Sequence, residues 1–369
     1  MKAIKHLIII ASALICAGCG EKTHEGKADI KEGTIALTAD RMVICSDGAD
    51  AATFTVTITD AKGNSKDITD QAEIYFTATD ELLTGNIFST SEAGEYAFYA
   101  AYGLSLSDEL SISALTVIPE VPADPQPEGK AFSHRMLLIQ HTGATCPNCP
   151  LMMTSLKALS ENAEYNTAYN LVASHSYNGG SNDKAYSDAA KTVSAMLCSG
   201  AYPELTFNLS NISTGHGYND ICEQVGKHAK ASADAGIAMA VETSGNNIIA
   251  TIEYKFAAGK VYRIGAWVLE DNIFATQSGA TESWQHTHHN ALRLMHGEKQ
   301  NDRIYGTSLG SVKAGEKVEK ILKFQLKDSW KAENCKVLAF VTEADAEGNY
   351  DIVNTVVCKT GEEVAYEYE

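Results

Sequence analysis

"TGATCPNCPLMM", Thr142 to Met153, sets two cysteines two residues apart and follows each with a proline. That separation suits three chemistries: a redox pair, half of a zinc site, or a tight structural disulfide. The flanks place the motif. Upstream, "RMLLIQH" is a short apolar run of the buried-strand type. Downstream, "PLMMTSLKAL" brings Met152, Leu156 and Leu159 to helical spacing, with Pro150 near the first turn. "YNLVASHS" reads as a second apolar strand. "KAYSDAAKTVSAMLC" puts Tyr186, Ala190, Val193 and Leu197 on one helical face, and "SGAYPELTFN" runs through Gly200 and Pro203 into a strand. Strands alternating with helices predict an α/β domain over residues 131–235.

The prolines divide the rest. Of seven, four lie in "IPEVPADPQPEGK", Ile118 to Lys130. Proline cannot join a ladder and stiffens the chain, so residues 119–130 read as a linker of the extended-spacer kind. Before it, residues 30–118 alternate apolar and polar in short runs such as "ATFTVTITD", which predicts an immunoglobulin-like β-sandwich. No catalytic cluster stands out there, and Cys45 reads as a small buried hydrophobe. After residue 235 the pattern returns to β, from "IAMAVE" to "DIVNTVVCK", and residues 236–369 read as a C-terminal β-sandwich. Cys335 and Cys358 bracket a hairpin whose turn is "DAEGN", which makes them candidates for a structural disulfide. For Cys198 and Cys222 only arithmetic suggests a pair. The expected fold class is multidomain α+β: sandwich, α/β domain, sandwich.

The chain has 369 residues, too many for one core, and a formal net charge of -18. Such a surface suits solubility and excludes a nucleic-acid partner. The first residues, "MKAIKHLIIIASALICAGCG", give a basic start, an apolar run too short to span a bilayer, and small residues before Cys19. Residues 1–18 are therefore a signal peptide. "ICAGC" resembles a bacterial lipobox, which implies that Cys19 is lipidated and that residues 19–29 tether the protein to a membrane. A plain signal peptide cleaved elsewhere is the alternative. Export means an oxidising compartment. Beyond Cys16 and Cys19 seven cysteines remain, an odd number that leaves at least one unpaired.

Cys146-Pro147-Asn148-Cys149, the helix behind it and Pro203 resemble a thioredoxin-like domain. The resemblance implies that Pro203 is cis and shapes a groove beside the thiols. The wider order resembles a Bacteroidetes outer-membrane lipoprotein family: lipobox, thioredoxin-like domain, then a β domain. Its second strand ends in a histidine, matched by His175. Its C-terminal part carries a His- and Arg-containing segment, matched by "HTHHNALRLMHG", and a Trp before a strand, matched by "SWKAENCKVLAFV". The likeness covers residues 132–369, with the first sandwich as an added module. It places His141 and His175 near the thiols, where a protonated imidazole would favour the thiolate. Thr145 stands where many thioredoxins have tryptophan, and "SYNGGSNDKAY" reads as an insertion.

The expectation is a lipid-anchored thiol-disulfide oxidoreductase of the cell envelope. Its catalytic residues are Cys146, Cys149 and Pro203, and its partners are protein thiols or disulfides. No cofactor or metal is expected. No second Cys pair completes a zinc site, and His286, His288, His289 and His296 read as structural or surface residues. The alternative is a non-enzymatic surface-binding lipoprotein. The exposure of Cys146 separates the two: an open thiol beside Pro203 favours the enzyme, a buried and bridged one the binding protein.

Overall fold

A computed structural model describes residues 33–213 and 215–369; the signal segment, the tether and Cys19 lie outside them. Alternation in Ala51–Thr59 buries Ala52, Phe54, Val56 and Ile58. That strand joins Thr34–Ala39, Ser65–Asp67 and Ile87–Ser89 in one sheet. A second sheet holds Val43–Cys45, Glu73–Phe76, Gly94–Tyr102, Ser105–Leu106 and Leu110–Leu115. One apolar cluster draws on both, with Phe54 and Phe98 ring centroids 4.7 Å apart.

Beyond the linker, β1 (Met136–Thr142) is buried at all seven positions. It pairs parallel with β2 (Tyr169–His175) and antiparallel with β3 (Glu204–Phe207), which pairs with β4 (Asn211–Ser213). Successive side chains point to opposite faces of a strand. Met136 and Leu138 therefore pack with Met152 and Leu156 of α1 (Cys149–Glu161) and Val225 of α3 (Tyr218–His228). Leu137 and Ile139 meet Ala190 and Val193 of α2 (Asp188–Leu197) on the other side.

The sheet does not stop there, and this corrects the expected fold class. The outer edge of β2 takes β8 (Ala291–Met295) through Ala173↔Ala291. β8 pairs with β7 (Val261–Glu270), β7 with β11 (Cys335–Ala344), and β11 with β12 (Tyr350–Lys359). With β9 (Thr307–Ser311) on β7, nine strands form one sheet. Strands make up 43% and helices 16% of the described residues. There is no clear central thioredoxin-like α/β domain beside a separate C-terminal sandwich. The physical reason lies in β2, a largely buried strand whose backbone N–H and C=O groups need partners at both edges. The α2-side core confirms the fusion: Leu137, Ile139 and Val172 share it with Trp267, Leu292 and Phe340. The four-stranded sheet β10–β6–β5–β13 (Lys317–Gln325, Asn247–Phe256, Ala235–Ser244, Glu362–Val364) contributes to a further core with strands of the nine-stranded sheet.

Two further expectations change. Cys335 and Cys358 are free, buried thiols, not a disulfide. A register shift at Val341/Thr342 places Cys358 opposite Val337, so the two cysteines sit diagonally across the ladder. Each S–H instead approaches a carbonyl, Lys331 O at 3.3 Å and Glu362 O at 3.1 Å. The Pro-rich segment is also no free spacer. Asp124 pairs with the buried Lys255 at 2.9 Å, and Lys255 donates to the Pro127 carbonyl at 2.6 Å.

Candidate functional site

The site grows from the end of β1. Gly143 is required where it stands, because a Cβ there would lie 2.6 Å from the Cβ of Tyr177. The Ala144 N–H donates to Asp183 Oδ2 at 2.7 Å. Cys146 and Cys149 follow and are joined by a disulfide, the latter opening α1 with Pro150 behind it. Pro147 and Asn148 are exposed, but Cys146 is only 1% exposed and Cys149 not at all.

His175 pairs in register with Thr142. Ser174 bonds to the Ala190 carbonyl on the α2 side, so His175 points to the α1 side, that of the disulfide. Its Nδ1–H donates to Asp183 Oδ2 at 2.8 Å, and Asp183 Oδ1 accepts from the Ala185 N–H at 2.9 Å. Burial would raise the Asp183 carboxyl. The His175 bond and charge, with the two N–H groups, outweigh it and hold the carboxyl below its ordinary range. His288 meets His175 edge to face, centroids 4.8 Å apart, and burial pushes its pKa down to about 4.

His141 does not act as expected. It faces α2, away from α1, with Nδ1 2.9 Å from Ser194 Oγ and Nε2 2.9 Å from Thr206 Oγ1. Burial pushes its pKa down to about 4, so it is neutral at physiological pH and supplies no positive charge to a thiolate. The Tyr202–Pro203 bond is cis. Glu204 pairs with His141, so Pro203 lies at the end of the sheet that carries the cysteine turn.

A segment absent from every sequence motif covers that turn. Gln277 Nε2 donates to the Cys146 carbonyl at 2.8 Å, and the Ser278 N–H to the Ala144 carbonyl at 2.7 Å. Gln285 Nε2 donates to the Pro150 carbonyl at 3.1 Å. Asp183, Gln277 and Gln285 were not legible beforehand. Asp183 sits inside the stretch read as an insertion, and the glutamines come from a loop more than a hundred positions away.

The C-terminal histidines disperse. His286 Nδ1 accepts from the Gln277 N–H, His288 approaches the Ala275 carbonyl, and His289 lies 3.9 Å from Asp271. Among the described residues no group of three His, Cys, Asp or Glu is placed to hold a metal ion. Cys45, Cys198 and Cys222 are free and half-buried.

Fold and site thus define a predominantly β protein with several sheets and a covered Cys-x-x-Cys disulfide at a helix start. The family model for the outer membrane protein Omp28 matches residues 199–363, which points to the outer membrane and the cell envelope. The matched stretch contains Pro203 and the covering segment and crosses residue 235. It leaves Cys146 and Cys149 outside. Among solved structures the chain is similar to HBP35 of Porphyromonas gingivalis, at 20% identity and a TM-score of 0.51, over 63% of this chain and 77% of that one. It is also similar to protein AGR_C_4864 from Agrobacterium tumefaciens, at 13% identity and a TM-score of 0.39, over 64% of this chain and 99% of that one. The HBP35 likeness shows the fold alone. No curated protein matches the chain. Among the described residues no helix is long and apolar enough to cross a membrane.

Proposed function

We propose that this protein exchanges thiols and disulfides in the cell envelope through Cys146 and Cys149, held at the membrane by a lipid on Cys19. The observation that supports it best is the disulfide at the start of α1. There the unpaired N–H groups and the helix dipole favour a thiolate. In the reduced form the Cys146 thiolate attacks a client disulfide and expels one client thiolate. The deprotonated Cys149 then attacks Cys146 Sγ, releases the second client thiolate and restores the Cys146–Cys149 bond. The client gains two electrons, and an envelope dithiol must return them to the pair. The test is insulin reduction driven by dithiothreitol. Wild type should exceed the Cys146→Ser, Cys149→Ser variant at least tenfold, and equal rates would end this reading.

One observation favours the second reading, a surface-binding lipoprotein in which the bridge only shapes a turn: Cys146 is buried and bridged. In this oxidised form an external thiolate cannot reach a sulfur so covered. The enzymatic reading therefore requires a route by which Cys146 becomes exposed.

A further inference from the structure

We infer that Ala275–His286 is a strap that shields the Cys146–Cys149 disulfide at rest and lifts to admit a reaction partner, with Gln277 as its latch. The inference rests on the thiol–disulfide reading for its purpose, though its physical test does not.

The strap is a loop tied at its base. Ile273 pairs with His288 and Phe274 with Thr287, and the Ala275 N–H donates to the His286 carbonyl at 2.9 Å. Beyond that base its hold on the cysteine turn is a few polar contacts. Gln277 Nε2 reaches the carbonyls of Cys146 and, at 3.4 Å, Gly143. Ser278 bonds Ala144, and Gln285 reaches Pro150 O and Thr154 Oγ1. Gly279, at φ +73°, lies against the Pro147 carbonyl so closely that a Cβ would come within 2.1 Å of its oxygen.

The seated strap is incompletely satisfied. Gln277 Oε1 and Thr145 Oγ1 are both buried without a hydrogen-bond partner. Neither has a protein hydrogen-bond partner while the strap is seated, and opening to solvent would supply one. A closed state held by a few hydrogen bonds and opposed by two unmet ones is the kind of local element that opens without global unfolding. The strap lies in the part matched by the Omp28 model, while the cysteines it covers lie outside that part.

The experiment uses the full oxidised chain. The rate of disulfide reduction by dithiothreitol is followed by quenching with N-ethylmaleimide and mass spectrometry. Gln277→Ala removes the latch, and Gly279→Ala places a methyl against Pro147. Both should be reduced at least tenfold faster than wild type, and rates within twofold of it would overturn the inference. Hydrogen exchange on unmodified protein guards against variants that simply misfold. Peptides 275–286 and 143–150 should exchange together and well before β1, and protection equal to that of β1 would overturn it too. If the variants are reduced faster but no form turns over insulin, the strap stands and the proposed activity falls. If wild type turns over insulin while the rates do not change, the activity stands and the strap falls.

Discussion

At neutral pH His141 is uncharged, since both ring nitrogens meet hydroxyls and burial disfavours the imidazolium. Its folded pKa of about 4 lies below the ordinary 6.5, so the unfolded chain binds the proton first. The stability it contributes is therefore complete above about pH 6.5 and is lost as pH falls towards 4. At pH 5 the loss amounts to about 2 kcal/mol for His141 alone. His134 and His288 are pushed the same way by burial. Urea midpoints should fall between pH 7 and pH 5, and His141→Asn should flatten that fall; a pH-independent midpoint would contradict it. Asp183 carries a larger single contribution. Its side chain and that of His175 are each 1% exposed, and it also holds the Ala144 N–H. Asp183→Ala removes one partner of a buried pair and should cost about 3–5 kcal/mol in urea unfolding. The type of His175 and its place at a strand end were legible from the sequence. Its partner was not, because an Asp among Gly, Ser and Asn reads as turn chemistry whether or not it turns inward.

Elements were legible where local pattern governs them. The apolar run of β1, the proline behind Cys149 and the spacing of Met152, Leu156 and Leu159 fix a strand, a turn and a helix without reference to the rest of the chain. Strand register is less local. In the ladder of β11 and β12 Cys358 lies opposite Val337, two positions along the same face from Cys335, and a bulge at Val341/Thr342 changes the count, so a midpoint near the turn does not set the two cysteines face to face. Packing between elements is less local still. In β7, Gly265 lies under the ring of Phe340, and a Cβ there would come within 2.1 Å of it. Nothing near Gly265 in the sequence announces that ring. Gly265→Ala should overpack this layer and destabilise by about 1–3 kcal/mol. A lower thermal midpoint would report it, and Phe340→Leu should recover part of the loss by making room; a wild-type midpoint would show that the ring moves aside freely.

For the whole molecule, the joining of β2 to β8 decides what can fold alone. Composition and periodicity show that residues 131–235 alternate strand and helix, but not that the outer edge of β2 is closed by a strand starting at Ala291. The α2-side core needs Trp267, Leu292 and Phe340 as much as Leu137 and Val172. Removing residues 236–369 would leave that face in water and β2 with an unpaired edge, the arrangement that favours aggregation. Residues 131–235 expressed alone should lack near-ultraviolet circular dichroism and a cooperative melt, whereas residues 119–369 should give one transition. The start at residue 119 matters. Lys255, 7% exposed, is held by Asp124 and by the carbonyls of Gln126 and Pro127, and Tyr368 donates to Asp124 at 2.8 Å. The segment that reads as a spacer is thus clasped to Lys255 of β6 and to Tyr368 near the end of the sequence. Lys255→Met removes the nearer cation and leaves Asp124 only Lys317, at 3.7 Å, so it should destabilise the 119–369 unit by about 1–3 kcal/mol. It should also speed protease cleavage within residues 119–130. Cleavage no faster than in wild type would mean that the prolines alone hold the segment in place.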